Sequence, residues 1–332
     1  MIIKEIKLNK GLIFKKEGLV IISDEGKSEV NIKLDNSVFD IVKNKLQDRI
    51  INNINDFEKL CDDLADIDMN IRRQIETGVL NSSNAGWKII NKDAKQIPRP
   101  MCLILKKNKG IKEFYLISLN AKNFDGAVSA SRDVSSIVEK KLNNIKKDDV
   151  DDEDLLDIIK EAIDKVFQDI DFELRICIGY GDSSSDNYLY SNKTLNEQEQ
   201  LEYVKKLINK YELFYVENPF HEGKFESYIK LTNEMKNKCL ICLKSRINEY
   251  TESVDKHALN AAVINYDNFK QFNFDVKSFK ENNINIIADP DINLINIFVG
   301  FNIPIIKFYN DKISEEATEK LINVTASIKE KR

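Results

Sequence analysis

A carboxylate ends an apolar, strand-like run in the segment FYVENPF, where Glu217 directly follows Tyr215 and Val216. An acid beside such a run is poorly solvated unless it lies at the mouth of the strand, where a metal ion or a substrate neutralises it. The segment therefore predicts a functional site, and Glu217 is its first candidate residue. Which chemistry the site performs depends on the residues at the ends of the neighbouring strands.

The elements that must position Glu217 form a regular series beyond Pro98 and Pro100, which punctuate the chain. Apolar runs of strand length alternate there with amphipathic, helix-like segments. The eight runs are MCLILKK, EFYLISL, ELRICIGY, ELFYVE, KCLICL, AAVIN, INIIAD and IPIIKFY. Two helical segments follow the second run and one follows each later run. This order predicts a closed α/β barrel over residues 98–332.

The segment before residue 98 follows a different pattern. The strand-like runs IIKEIKL, GLVIIS and VNIKL come first, and the amphipathic segments VFDIVKNKLQDRIINNI and INDFEKLCDDLADIDMNIRRQIE follow them. Short strands followed by helices indicate a small α+β domain. We therefore predict two domains, over residues 1–97 and 98–332.

Length, charge and hydropathy exclude several classes of partner. The chain has 332 residues, of which 42% are hydrophobic, enough for a large core. Its net charge of -5 is spread over mixed runs, without the clustered basic face of a nucleic-acid-binding protein. It has neither the roughly 20 consecutive apolar residues of a membrane span nor an N-terminal signal core. We expect a cytoplasmic protein whose 5 cysteines are reduced.

Several segments resemble motifs of the enolases, in the order in which that family carries them. YVENPFHEGKFESYIKLTNEM is similar to a strand ending in a SIEDP-like motif together with its following helix. ICIGYGDSSSDNYLY resembles the IGLDxAASEFY segment, and LNSSNAGWKII resembles the GANAILGVS helix. IPRPMCLILKK, IKEFYLISLNAKNFDGAVSASRDV and FVGFNIPIIKFYNDK are similar to the PxPxxN, QEFMIxPxGAxxFxEAL and LAVGLNxGQIKTGxxxR segments. The resemblance covers most of residues 81–312.

The resemblance implies both a fold and a chemistry. The fold is an enolase-type TIM barrel, β2α2(βα)6, with an antiparallel second strand and a small α+β domain before it. Enolases remove the proton next to a carboxylate and then expel hydroxide, with a Lys or His base and one or two Mg²⁺ ions that stabilise the ene-diolate. The family places three carboxylates at the ends of three successive strands, a lysine base beside them and a second lysine on the substrate.

Four residues of this sequence correspond to that arrangement. Glu217 matches the second metal carboxylate, Lys307 the second active-site lysine and Glu113 the acidic residue of the QEF motif. The place of the first carboxylate falls on Gly181, with Asp182 one residue later. The resemblance thus implies catalytic or substrate-binding roles for Glu113 and Lys307, and Mg²⁺ ligands at Glu217 and Asp182.

Other positions depart from the family's pattern. Cys242 stands at the third carboxylate, with Lys244 close behind, and a soft thiol near an ammonium is a poor Mg²⁺ site. Asn265 replaces the lysine base, and an amide does not accept a carbon-bound proton at neutral pH. The GDEGGFAP loop, which bears the catalytic glutamate, has no counterpart in KKDDVDDEDLLD. We therefore predict weak or absent Mg²⁺ binding and no dehydration of 2-phosphoglycerate.

Two functions from different classes fit these residues. In the first, the chain is a pseudoenzyme that acts as a regulatory, anion-binding or assembly partner, as a homodimer or with another protein. In the second, it is a Mg²⁺-dependent lyase of the enolase family that acts on another phosphorylated or small carboxylic acid, held by Glu113, Asp182, Glu217 and Lys307. The sequence favours the first, because two acids and a lysine without a base bind a small anionic carboxylate more easily than they break it down.

The candidate residues also have a structural interpretation. Glu217 can form a structural ion pair with Lys307 or with another basic group across the barrel mouth, with no ligand involved. Under either interpretation we expect Glu113, Asp182, Glu217, Asn265 and Lys307 to converge at one end of the barrel, where the strand-end residues of this fold point.

Overall fold

The computed structural model describes residues 1–9, 18–83, 85–94, 96–143, 145–181, 187–221, 223–244, 256–309 and 312–329. In these ranges a small antiparallel sheet precedes a closed barrel, and helices cover both. None of the described helices combines the length and the apolar character that crossing a bilayer requires.

The small sheet consists of three antiparallel strands in the order β1, β2, β3. They are β1 (Ile3–Asn9), β2 (Gly18–Ser23) and β3 (Lys27–Val30). The third strand was predicted at VNIKL, and this was wrong in its bounds. The turn between β2 and β3 closes with a hydrogen bond from Ser23 N to Gly26 O, 2.8 Å long, so pairing begins at Lys27. Val30 and Ile32 keep the buried alternation of the predicted run, but pairing ends at Val30.

Four helices of the described residues lie between this sheet and the barrel. They are α1 (Asn36–Leu46), α2 (Ile54–Asp63), α3 (Met69–Asn81) and α4 (Trp87–Ile90). The sequence predicted one amphipathic segment over residues 54–76, which the structure divides into α2 and α3. Each begins at its own N-cap, because the side chains of Asn53 and Asp68 accept hydrogen bonds from the first backbone N–H groups of the helices that follow.

Ten further strands follow within the described ranges. They are β4 (Arg99–Lys106), β5 (Glu113–Leu119), β6 (Glu173–Gly179), β7 (Tyr188–Leu189), β8 (Thr194–Leu195), β9 (Tyr215–Glu217), β10 (Leu240–Leu243), β11 (Ala261–Ile264), β12 (Asn285–Ala288) and β13 (Ile305–Phe308). All but the β7–β8 hairpin close into an eight-stranded barrel. Each predicted run contributes one strand. The second barrel strand, β5, is antiparallel to both neighbours, and all other pairs are parallel. The predicted enolase-type barrel is confirmed.

The helices of the barrel follow the predicted order. They are α5 (Phe124–Lys141), α6 (Asp152–Val166), α7 (Glu197–Tyr211), α8 (Phe225–Met235), α9 (Phe269–Glu281), α10 (Ile295–Gly300) and α11 (Lys312–Lys329). Two of them, α5 and α6, come between β5 and β6, as the sequence predicted. A helix was also predicted between β10 and β11, where residues 245–255 lie outside the described residues and residues 256–257 form a turn.

The buried acid Glu76 joins the N-terminal part of the chain to the barrel. Its Oε1 accepts a hydrogen bond from Arg72 Nε at 3.0 Å. Its Oε2 accepts one from Tyr266 OH at 2.8 Å and one from Phe269 N at 3.0 Å. A fully buried carboxylate with donors on both oxygens is well satisfied, so this network fixes α3 against the segment that follows β11. The domain division at residue 97 stays a prediction.

Candidate functional site

The interior of the barrel is a small apolar cluster separate from the larger core outside the strands. It contains Met101, Leu103, Tyr115, Ile117, Cys177, Tyr215, Cys242, Ala261, Val263, Ile287 and Ile305. Side chains of a strand alternate between the interior and the helix layer. The next inward position toward the mouth therefore lies two residues beyond an interior residue of each strand. They are Glu113, Glu217, Lys244, Asn265, Asp289 and Lys307. The carboxyl ends of the parallel strands thus carry a polar layer above an apolar one.

The central feature of this layer is a direct ion pair between Lys307 and Glu217. Lys307 Nζ donates to Glu217 Oε2, and the two side chains are 0% and 4% exposed. The hydroxyl of Tyr215 donates to the same carboxylate oxygen. Burial alone would lower the pKa of Lys307, but the charge of Glu217, with smaller contributions from Tyr309, Asp289 and the hydrogen bond to Glu217, outweighs burial and raises that pKa, so the lysine stays charged. The pair is satisfied without a ligand.

Glu113 lies near this pair, on β5, which only β6 separates from the strand of Glu217. Glu113, Gly179 and Glu217 are partners in register on three adjacent strands. A Cβ atom on Gly179 would lie 3.6 Å from Glu113 Oε2 and 3.7 Å from Glu217 Cβ, so this glycine separates the two acids with no side chain of its own. Lys106 Nζ lies 3.0 Å from Glu113 Oε1, and the hydroxyl of Tyr115 donates to Oε2.

The electrostatic environment keeps Glu113 ionised. Partial burial would raise the pKa of this carboxyl, but hydrogen bonds from Tyr115 and Lys106 and the charge of Lys307 outweigh burial and lower it. At neutral pH the Glu113 side chain is therefore a carboxylate. It has no proton to give as a general acid.

The mouth also contains a third lysine–carboxylate pair, Lys244 and Asp289, which is not among the site residues predicted from the sequence. Lys244 Nζ lies 2.9 Å from Asp289 Oδ2, and Tyr309 OH donates to Asp289 Oδ1 at 3.0 Å. Burial would raise the pKa of Asp289, but the charges of Lys307 and Lys244 and the two hydrogen bonds lower it. One signal could have found this pair. Asp289 and Lys244 each stand two residues beyond an interior position of their strand, Ile287 and Cys242.

The other candidate residues are Asp182, Asn265 and Cys242, of which Asn265 belongs to the strand-end layer named above. Asp182 lies outside the described residues, next to Gly181, whose φ is +66°. Asn265 directly follows β11 and is exposed. Cys242 packs inside the barrel with no exposed surface, and burial raises the pKa of its thiol well above the ordinary range, so it stays protonated. The structure therefore brings Glu113, Glu217 and Lys307 together.

Among the described residues, the donor set at the mouth does not fit Mg²⁺. This ion prefers six oxygen ligands in octahedral geometry. The ligands that a protein contributes are usually one or two carboxylates. The three described carboxylates here, Glu113, Glu217 and Asp289, each pair with a lysine. Across the described ranges, no three His, Cys, Asp or Glu side chains are grouped as a metal ion would require.

Comparison with curated proteins agrees with the barrel topology. The chain is 27% identical to the enolase of Halorubrum lacusprofundi over 179 residues, which are 48% of this chain and 45% of that protein. It is 28% identical to the enolase of Archaeoglobus fulgidus over 173 residues, 45% of this chain and 42% of the relative. This chain is a divergent relative of the enolases.

The likeness has clear limits. A shorter stretch of 97 residues is 34% identical to the enolase of Methanocorpusculum labreanum and covers 27% of this chain and 24% of that enolase. The chain matches less than half of the length of these enolases. No family model matches it. The enolase-like barrel is therefore shared, and the match alone does not assign the activity of the relatives to this chain.

Proposed function

We propose that this enolase-like chain does not dehydrate 2-phosphoglycerate and acts instead as a regulatory, anion-binding or assembly partner. The observation that carries the proposal is the buried hydrogen bond between Lys307 and Glu217. In the family these positions serve the substrate and a metal ion, whereas here each satisfies the other. Separating them to admit a ligand would leave two buried charges to be solvated again, which is costly.

The base position supports the same proposal. Asn265 stands where the family carries its lysine base, and an amide does not abstract a carbon-bound proton. A general base typically contributes roughly 100- to 10,000-fold to a rate. Its loss, together with a mouth in which each described acid is paired with a lysine, removes the groups on which ordinary turnover depends.

The test is an assay of phosphoenolpyruvate formation from 2-phosphoglycerate with excess Mg²⁺. We expect a rate no higher than that of a mock purification, and the same rate for Glu217→Gln. We also expect no rescue by Asn265→Lys, because the paired carboxylates remain. Turnover by the unmodified protein that Glu217→Gln abolishes would contradict the proposal and favour the Mg²⁺-dependent lyase.

A binding measurement separates the two functions further. The lyase alternative requires Mg²⁺ at Glu217, so isothermal titration should detect one Mg²⁺ site that Glu217→Gln removes. Under our proposal the titration detects no such site. We also propose that the protein is cytoplasmic and that it forms a homodimer or binds another protein. Sedimentation of the purified chain, alone and with fractions of cell extract, tests for such assemblies.

A further inference from the structure

A ridge formed by residues 167–172 stands at the base of the barrel, opposite the mouth, where the chain passes from α6 to β6. A groove of about 630 Å³ lies on one side of it, against the last turns of α6 and the end of α7. A second groove, of about 860 Å³, lies on the other side, against α5. Ile170, Asp171 and Phe172 line both grooves. This base face therefore combines a protrusion with two hollows.

The sequence of α6 explains why apolar side chains remain exposed on the ridge. The buried stripe of the helix consists of Leu155, Ile159, Ala162 and Val166. Phe167 follows this stripe by one residue, in a 3₁₀ turn that prolongs α6, so its ring falls outside the stripe and is 54% exposed. Ile163, Ile170 and Phe172 line the same groove and are half-buried. Adjoining apolar side chains with exposed surface are typical of interaction sites.

An exposed phenylalanine elsewhere in the chain has different surroundings. Phe274 on α9 is 67% exposed. The neighbouring positions on its helix face, Lys270 and Lys277, are exposed lysines. A single exposed apolar side chain among charged ones is ordinary for a protein surface. Phe167 differs because it lies beside a groove and beside further apolar groups.

The helices that form the larger groove are fixed to each other nearer the mouth. Lys206 Nζ lies 2.7 Å from Glu153 Oε1, and Lys210 Nζ lies 3.7 Å from Asp157 Oδ2. Beyond these contacts α7 ends at Tyr211, whereas α6 continues for roughly two more turns. The end of α6 therefore projects past α7, and the groove lies beneath the end of α7. It is formed before a partner arrives, which lowers the entropic cost of association.

The larger groove carries both signs of charge. The wall of α6 presents the exposed side chains of Lys160 and Asp164. On the opposite wall Arg175 Nη1 lies 3.4 Å from Glu212 Oε2, and Arg175 Nε donates to Glu173. One cation between two carboxylates leaves an acidic excess on that wall, where the Glu212 side chain is 73% exposed. A second copy facing the groove can therefore set its Lys160 against this acidic wall, and the reverse.

We propose that the base face is the interface between two copies of this chain related by a two-fold axis, with Phe167 of each copy in the larger groove of the other. A two-fold contact uses the same surface on both partners, so protrusion, hollow and both charges must lie on one face. The base face has all of these. Stable dimers bury roughly 1,200–2,000 Å² in total, and the second groove extends the face beyond the first.

The inference deepens the homodimer of the proposed function, on which it rests, by naming the face that forms it. The mouth takes no part, because the ridge lies at the opposite end of the barrel. The test is sedimentation velocity of the full chain over a series of concentrations. We expect the unmodified protein to sediment as a dimer that dissociates on dilution.

Phe167→Ser should weaken dimerisation about 100-fold or more, because each dimer loses two buried rings. Phe274→Ser is the matched control and should leave dimerisation unchanged. Both residues are largely exposed, so both variants should keep the urea denaturation midpoint of the unmodified protein, which shows that they are folded.

A charge exchange tests the two-fold arrangement without touching the apolar patch. Lys160→Glu and Glu212→Lys should each weaken dimerisation about tenfold, because each change occurs twice in a dimer. An equimolar mixture of the two variants should recover the original affinity, since each copy then supplies the charge that the other needs. Absence of recovery, or a dimer that Phe167→Ser leaves intact, would overturn the base-face contact but not the homodimer. A monomeric unmodified protein would overturn both, whatever the dehydration assay gives.

Discussion

Two lysines, the buried Lys307 at the barrel mouth and the partly buried Lys320 at the junction with the N-terminal part, meet opposite environments. Lys307 at the mouth pairs with the carboxylate of Glu217. Lys320 on α11 donates to neutral oxygens, Asn81 Oδ1 at 2.6 Å and Ile292 O at 3.0 Å. Burial lowers the pKa of both. The Glu217 charge reverses this effect at Lys307, whereas Asp291 opposes it only in part at Lys320, whose pKa falls to about 8.

The difference shows how each region accommodates a lysine that is shielded from water. At the mouth a full opposite charge fixes the lysine in its charged form and also occupies it, so the pair stabilises itself and has little left for a ligand. At the junction the lysine makes hydrogen bonds but lacks a paired charge, so its protonation responds to pH near neutrality. The region whose residues correspond to the enolase site is thus the one in which a buried lysine and a buried carboxylate neutralise each other.

The largest effect should come from breaking the mouth pair. Lys307→Met leaves the Glu217 carboxylate buried with Tyr215 as its remaining partner, and removal of one member of a buried ion pair typically costs about 3–5 kcal/mol. We expect that loss in the free energy of unfolding, measured by urea denaturation. Adding Glu217→Gln should restore most of it, because no unpaired charge then remains. A single variant as stable as the original would mean that the pair is solvated in solution.

The second effect concerns the buried acid of the junction, Glu76. Glu76→Gln keeps the shape of the side chain but cannot accept hydrogen bonds on both ends, so at least one donor among Arg72, Tyr266 OH and Phe269 N loses its partner. We expect a loss of about 1–3 kcal/mol in unfolding free energy. Asp62→Asn, whose partner Lys270 is 73% exposed, is the matched control and should change little. Equal losses in the two variants would argue against a special role for Glu76.

A smaller effect is expected at the half-exposed pair of the mouth. Lys244 and Asp289 have side chains that are 37% and 33% exposed, so water screens the charges. Lys244→Met should cost no more than about 1 kcal/mol in urea denaturation, well below the cost of Lys307→Met. It should also raise the pKa of Asp289, since Lys244 is one of two lysines that lower it. A cost equal to that of Lys307→Met would show that exposure does not separate the two pairs.

Much of the barrel was predictable because its strands are buried on both faces. Parallel barrel strands therefore read as continuous apolar runs, and each of the eight runs contributes a strand. Element ends were harder, because they depend on turn and cap contacts. The β2–β3 turn shortened the predicted third strand, and Asp68 started a new helix inside one amphipathic segment.

The site was predictable only in part, for a physical reason. The Lys307–Glu217 contact was one of two interpretations of the sequence, and the structure has it. The Lys244–Asp289 contact depends on which strand-end residues face inward and meet across the barrel, which register and closure decide. Residue type alone does not report this.

The smallest effect near neutral pH, and the one that isolates the junction, is the titration of Lys320. Its pKa is about 8 in the folded protein and 10.5 without the fold, so between these values the unfolded chain binds a proton that the folded chain lacks. The free energy of unfolding should therefore rise with pH above about 8, by less than the one-proton limit of about 1.4 kcal/mol per pH unit. Below pH 8 both states hold the proton and this contribution is constant.

The contribution of Lys320 can be measured by urea denaturation of the unmodified protein and of Lys320→Met at a series of pH values on both sides of 8. It is the free energy of unfolding of the unmodified protein minus that of the variant. Cysteines, tyrosines and the α-amino group also titrate at alkaline pH, but they are common to both proteins and cancel. This difference should be constant below pH 8. Above pH 8 it should increase, because the unmodified protein gains stability with rising pH and the variant lacks this gain. Lys277→Met, at an exposed position of α9, is the control and should show no such change. If the pH profile of Lys320→Met runs parallel to that of the unmodified protein, Lys320 is hydrated in solution, and the contrast between the junction and the mouth does not hold.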